Sequence, residues 1–357
     1  MPYERKNIQA MSAYTPGEQP DAAGVIKLNT NENPFPPGPA VEACLEAIHA
    51  SALRRYPPPT ARGLQKSIAE LHKLESNKVI VTNGGDELLR LAITTFVEPD
   101  EAFAVLEPTY TLYETLASAH GCGFIRLQLE TDWSLPANLA DTLNQQQAKM
   151  CLLPNPHAPS GRLTPVDNLR ELADRFKGVL LIDEAYVDFV DPALQHSCLS
   201  LLAEFDNVLL LRTFSKGYSL AGLRIAYGLG AESVIAPLYK TKDSYNTDFI
   251  AQKLAQAALE DQAYARDSWN FVIAQRQWLQ QELESLGFHC EPSQSNFLLV
   301  SMPEKLTAET LYRQLKERDI LVRYFAQPRL EDKLRISIGT AEENQKLMQT
   351  IRHLLAS

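Results

Sequence analysis

A chain of 357 residues, 45% hydrophobic and 22% charged, is long and apolar enough for one large domain with a smaller partner, and its composition excludes a fibrous or disordered protein. A net charge of −10 argues against nucleic acid or an anionic membrane as a general partner, yet leaves room for an anionic ligand held by a few inward arginines. Five scattered cysteines (Cys44, Cys122, Cys151, Cys198 and Cys290) without a CxxC pair argue against a disulfide framework or a zinc site. The absence of a roughly 20-residue apolar run or a signal-peptide core points to the cytoplasm.

Residues 1–27 are polar, broken by Pro16, Gly17 and Pro20, and read as an arm with little structure of its own. The proline-punctuated loop LNTNENPFPPGP, 28–39, precedes an amphipathic helix predicted over 40–52. Asn31 and Asn33 there either brace the loop and cap the helix or face a ligand. RRYPPP follows, then a helix over about 63–74. VIVT reads as a strand that delivers Gly84, Gly85 and Asp86 to the start of a helix running through Leu88, Leu91 and Ile93. Amides at a helix start attract anions, and glycines let a phosphate come close. The plain alternative is an ordinary strand-to-helix turn with Asp86 as a first-turn acid. AFAVLEPTYTLYETLASAHG repeats strand then helix, with Tyr110 at the junction as a packing residue or a ring-stacking one, and CLLPNPHAPSG is strand then turn.

Two later stretches carry chemistry. In GVLLIDEAYVDF an apolar strand over 179–182 ends in Asp183 and is followed closely by Tyr186. A carboxylate at the end of a buried parallel strand sits where ligands of open α/β sheets bind. One strand later, VLLL runs into RTFSKGYSLAGLRIAYG, where Thr213 and Ser215 flank Lys216 and Arg224 follows. Hydroxyls and a guanidinium suit a phosphate, and a lysine amine condenses with an aldehyde, which together is what pyridoxal phosphate demands. An acid such as Asp183 keeps the pyridine nitrogen of that cofactor protonated, and Tyr186 is in line for its ring hydroxyl. Either motif alone reads as a helix cap or a solvated lysine; the pair makes that reading improbable.

The alternation of strands and helices from 78 to about 230 predicts an α/β domain with a mainly parallel, doubly wound sheet. A helix-rich stretch, 250–286, leads to a smaller α+β unit with strands in NFLLVSM, ILVRYF and KLRISIGT and helices over 307–317 and 341–355. Arg335 alternates with Leu334 and Ile336, so it faces away from them, and Arg323 is similarly placed. The division expected is an arm, 1–29, joining the small domain; a large cofactor-binding domain, 30–255; and a small domain, 256–357.

In order, LNTNENPFPP, RYP, GGDE, EPTY, DEAYVDF, RTFSKGYSLAGLR and LRISIGT resemble the aspartate-aminotransferase superfamily of pyridoxal-phosphate enzymes (fold type I), and within it the histidinol-phosphate aminotransferases. The resemblance implies transamination between L-histidinol phosphate and 2-oxoglutarate, giving imidazole acetol phosphate and L-glutamate in histidine biosynthesis, by a homodimer. An aromatic amino acid aminotransferase is the nearest alternative, ahead of a phospho-amino-acid decarboxylase and a noncatalytic pyridoxal-binding regulator. By the same resemblance Lys216, Asp183 and Tyr186 are catalytic, and Gly85, Asp86, Tyr110, Thr213, Ser215 and Arg224 complete the cofactor site. Tyr56 reaches the partner subunit's cofactor phosphate, while Tyr14, Asn31, Arg323 and Arg335 meet the substrate. Two positions depart from the family. Pro58 follows Tyr-Pro where an acidic residue is common, and Ala158 precedes Pro159 where the family carries an asparagine against the ring hydroxyl. That contact is then left to Tyr186 alone, or is made up by Asn155 or His157.

Overall fold

The computed structural model describes residues 3–11, 17–20, 24–304 and 306–356. Its larger sheet has seven strands: β1 (Val79–Thr82), β2 (Ala102–Glu107), β3 (Gly123–Gln128), β4 (Met150–Pro154), β5 (Val179–Asp183), β6 (Val208–Thr213) and β7 (Ala226–Gly230). They lie in the order β1-β7-β6-β5-β4-β2-β3. Every pairing is parallel except those of β7, which runs against both β1 and β6.

The strands read as unbroken apolar runs because both faces of the sheet are covered. Successive side chains point to opposite faces, so Val81, Leu153, Ile182 and Leu210 enter one core while Ile80, Leu152, Leu181 and Leu209 enter the other. A strand with one wet face would alternate apolar and polar instead. Register then lines up the strand ends: Pro154 lies opposite Asp183, and Asp183 opposite Leu211. The carboxyl ends of β4, β5 and β6 therefore open at one level, where loops can build a site.

The second sheet is antiparallel, with β8 (His289–Cys290), β9 (Phe297–Ser301), β10 (Arg323–Tyr324) and β11 (Lys333–Ser337) in the order β10-β11-β9-β8. Its core joins Leu298, Val300, Leu334 and Ile336 to Leu311, Leu347 and Ile351 of the helices Ala308–Lys316 and Ala341–Ala356. The helix Gln262–Ser285 serves both units, burying Ala265 in the large core and Val272, Leu279 and Leu283 in the small one. The arm also reaches the small unit, since Ile26 and Lys27 pair in parallel with Ile320 and Leu321.

Two local readings are corrected and one segment is filled in. The helix predicted over 40–52 stops early: Pro39–Glu46 is α-helical, His49 is extended, and Ala50–Arg54 forms a 3-10 turn. Only Val41 of that helix is fully buried, and a helix with so little to pack on has little to prolong it. The segment LAGLRIAYGLG, for which no element was predicted, makes a 3-10 turn, Ala221–Leu223, and then strand β7. ILVRYF is two short strands in different sheets, Ile320–Leu321 and β10, rather than one.

Candidate active site

The carboxyl ends of the large sheet and the small unit enclose a cleft of about 380 Å³, within the size range of small-molecule sites. Lys216, Asp183, Tyr186, Asn31, Arg323 and Arg335 all line it, as do Gly85, Asp86, Tyr110, Thr213, Ser215 and Arg224. Residues up to 304 positions apart in sequence, Asn31 and Arg335, are thus gathered on one surface. Tyr14 lies outside the described residues. Tyr56 does not line the cleft; it is 80% exposed and stacks on Tyr245 at 4.4 Å between ring centroids.

Asp183 ends β5 with its carboxylate buried at the cleft. Tyr113 donates to Oδ2 at 3.0 Å and the Ala185 amide to Oδ1 at 3.1 Å, so both oxygens are held. Burial pushes its pKa up to about 6; the nearby Asp86 and Glu184 add to the rise, and the two hydrogen bonds oppose it. Tyr113 was not singled out by the sequence, where it reads as an ordinary helix residue. Tyr113 lies in the first turn of the helix Leu112–His120, and its amide donates to the Tyr110 carbonyl at 3.2 Å, which brings the two side chains together. Their rings meet edge-to-face at 5.6 Å.

Glu184, next along the chain, points away from the cleft and pairs with Arg212 at 2.8 Å in a nearly waterless setting. The period-two alternation explains this: the residues that aim Asp183 and Thr213 at the cleft turn Glu184 and Arg212 behind it. The ion pair ties the ends of β5 and β6 together, and removing one partner leaves an uncompensated buried charge, a cost of about 3–5 kcal/mol.

Lys216 Nζ donates to the Thr30 carbonyl at 2.9 Å. Burial lowers its pKa to about 8, helped by Arg335, Arg224 and Lys27 and opposed by Glu32. The backbone beside it is clasped from two sides: Asn33 Nδ2 of the first loop donates to the carbonyls of Lys216 and Gly217 at 3.2 and 3.3 Å, and Trp269 Nε1 of the helix Gln262–Ser285 donates to the Gly217 carbonyl at 2.7 Å. Of the two readings open for Asn33, the structure supports the brace, although what it braces is the lysine segment. Asn31 does face the cleft. Its backbone is left-handed at φ 56°; its amide donates to Tyr186 Oη at 3.0 Å, while Ser337 and Asn296 fix its side-chain and backbone oxygens at 2.9 Å.

The opposite end of the cleft suits an anion. Gly84 and Gly85 begin the 13-residue helix Gly84–Phe96, Ser215 Oγ lies 3.4 Å from Arg224 Nη1, and Arg224 Nη2 lies 3.5 Å from Asp86. The helix start adds its own partial positive charge. Gly84 has φ +76°, and a Cβ there would stand 2.8 Å from Arg224 Nη2, so only glycine leaves the guanidinium in place. The side wall carries Arg335, whose Nη2 donates to the Asn29 carbonyl at 3.0 Å, and Arg323, its partner across β10 and β11.

Neither residue considered as a substitute at Ala158 fills that role. Asn155 is occupied by the backbone of Thr164, accepting at 2.7 Å and donating at 3.2 Å, and His157 Nδ1 bonds Ser160 Oγ at 2.7 Å. Neither lines the cleft, whereas Ala158, Pro159, Tyr186 and Asn31 do.

The donor set fits pyridoxal phosphate: an amine for an aldehyde, a buried acid for a pyridine nitrogen, and hydroxyls, helix amides and an arginine for a phosphate. Two polar atoms of cleft residues, Thr109 Oγ1 and Asn29 Oδ1, are buried without a hydrogen-bond partner, a situation proteins rarely tolerate unless a ligand completes it.

Comparison with known proteins agrees. The family model for class I and II aminotransferases matches residues 23–351. The chain is 46% identical over 356 residues to histidinol-phosphate aminotransferase 1 of Nostoc sp., covering 99% of each, and 41% identical over 353 residues to histidinol-phosphate aminotransferase of Microcystis aeruginosa, again covering 99% of each. Among solved structures, histidinol-phosphate aminotransferase from Sinorhizobium meliloti in complex with pyridoxal-5'-phosphate has the same fold, with a TM-score of 0.89 over 99% of both chains at 23% identity.

Proposed function

This chain belongs to the histidinol-phosphate aminotransferases, within the class I and II aminotransferases, and on that premise we propose how its residues divide the work. It is a pyridoxal-phosphate enzyme of fold type I that interconverts L-histidinol phosphate and 2-oxoglutarate with imidazole acetol phosphate and L-glutamate, a step of histidine biosynthesis. When bound, the cofactor supplies an aldehyde carbon that carries the amino group between two half-reactions and a ring that withdraws electrons from the substrate's Cα–H bond.

Lys216 is the covalent anchor and the proton carrier. With its pKa lowered to about 8, a useful share of its amine is neutral near neutral pH, which is the form that takes a proton from the substrate carbon and returns it one step later. Asp183 holds a positive ring nitrogen. Burial raises its pKa, and a pyridinium held against it would stabilise the carboxylate form. Tyr113 and the Ala185 amide keep that carboxylate aimed. Tyr186, positioned by Asn31, would meet the ring hydroxyl in place of the asparagine absent at Ala158, and Tyr110 would offer its ring to the cofactor's.

The phosphate goes to Gly85, Asp86, Thr213, Ser215 and Arg224. The substrate's anionic end goes to Arg335 and Arg323, whose planar forks accept carboxylate and phosphate alike; Tyr14 and Asn31 complete the substrate side. The observation that carries these roles is the meeting of Lys216, Asp183 and the Ser215–Arg224 pair on one cleft.

We also propose a homodimer in which Tyr56 reaches the partner's cofactor phosphate, which accounts for a large exposed aromatic pair on the surface of one chain. The three-part division, 1–29, 30–255 and 256–357, and a cytoplasmic setting belong to the same proposal. No helix among the described residues is long and apolar enough to cross a membrane.

The test is side-by-side turnover of L-histidinol phosphate and L-phenylalanine with 2-oxoglutarate, measuring glutamate. Fast glutamate formation from histidinol phosphate and slow formation from phenylalanine is expected. The reverse order makes the enzyme an aromatic aminotransferase.

A further inference from the structure

Arg323 and Arg335 are direct register partners in the antiparallel pair of β10 and β11. That arrangement sets two like charges directly opposite one another and is unfavourable by itself. Both side chains nevertheless line the cleft, so something must hold two long, mutually repelling forks there.

Phe325 stands two residues beyond Arg323, on the same side of an extended chain, and lines the same cleft. Its ring centroid lies 5.3 Å from the guanidinium carbon of Arg323 and 5.5 Å from that of Arg335. A single ring therefore lies within cation–π range of both cations. Arg335 has further restraints, the Phe297 ring at 5.2 Å and the Asn29 carbonyl. Phe325 also packs against the large core, which restrains the ring that they share.

We infer that Phe325 is a positioning residue for the anion site, holding the Arg323 and Arg335 forks at the spacing that one carboxylate or phosphate bridges. The inference rests on the reading that those two arginines take the substrate's anion. An aromatic face suits this task better than an acid. A carboxylate between the arginines would restrain them more strongly, but it would neutralise the charge that the substrate needs and compete for the same N–H donors. A ring attracts the cations without offering an acceptor oxygen. A leucine would fill much of the volume while lacking the face.

The test compares Phe325→Leu, Phe325→Tyr and Arg335→Lys holoenzymes. For Phe325→Leu, the KM for L-histidinol phosphate and the inhibition constant of inorganic phosphate should both rise roughly three- to tenfold, the size expected when the weak cation–π contacts to both arginines are lost. The kcat, melting temperature and cofactor affinity should change far less, and Phe325→Tyr should restore both constants. In an Arg323→Lys background the Phe325→Leu penalty should shrink, because the two positions act through one contact. Unchanged constants in Phe325→Leu, or a joint fall of kcat and melting temperature marking a packing role alone, overturns the inference. Arg335→Lys separates the two layers: if it too leaves both constants unchanged, the anion reading itself has failed, whereas a rise in Arg335→Lys without one in Phe325→Leu sinks only the role of the ring.

Discussion

Asp183 shows at the level of a single residue how the site trades stability for function. Burial raises its pKa from an ordinary 3.8 to about 6, so between those values the folded apoprotein keeps a proton that the unfolded chain has released. Stability of the apoprotein therefore falls as pH rises through that window, and the whole penalty is present above it. Asp183→Asn keeps the shape and removes the charge. The apo variant should be more stable than the parent at pH 7.5, by about 3 kcal/mol, and little different at pH 4, while turnover falls about a thousandfold. Urea unfolding at the two pH values checks the sign, and a destabilised variant at pH 7.5 would contradict it. The acid and the lysine were legible in the sequence because each has a chemical type that is costly to bury and stands at the end of an apolar run. Tyr113 and Phe325 were not, because an aromatic residue in a helix or strand looks the same whether it packs a core, aims a carboxylate or faces two arginines.

At the level of the element, the strand-to-helix turn after β1 decides whether a phosphate can be held. Gly84→Ala forces a side chain into a left-handed backbone position and brings a Cβ to 2.8 Å from Arg224 Nη2; the backbone alone costs about 1–3 kcal/mol. Cofactor affinity should fall at least about tenfold, as measured by titrating pyridoxal phosphate into the apoenzyme, and an unchanged affinity would mean that Arg224 does not form the cup. This turn could be read from GGDE because a strand, two glycines and a helix start leave the chain few options. The direction of β7 could not. Its residues, AYGLG, are as apolar as those of a parallel strand, and orientation is set by how tightly the chain returns after Arg224, which adopts φ 49°. The early end of the helix Pro39–Glu46 was hidden for a related reason: what limits it is the lack of a surface to pack on, a property of the fold rather than of the segment.

At the level of the whole molecule, one chain brings almost every expected site residue to a single cleft but leaves Tyr56 outside it, stacked on Tyr245. The sequence could point to that tyrosine only through resemblance, since no pattern within one chain encodes a contact with another. If Tyr56 serves the neighbouring subunit, mixing Lys216→Ala and Tyr56→Phe proteins should form hybrid dimers with one intact site and recover activity at low cofactor that neither parent has. If Tyr56 acts within its own chain, the mixture should show no recovery. The assignment of the entire cleft, however, turns on the amine at position 216. Reducing the holoenzyme with borohydride, digesting it and locating the pyridoxyl group by mass spectrometry tests this directly: the label is expected on Lys216, and a label on another lysine, such as Lys27, which bonds the Thr30 hydroxyl, would contradict it.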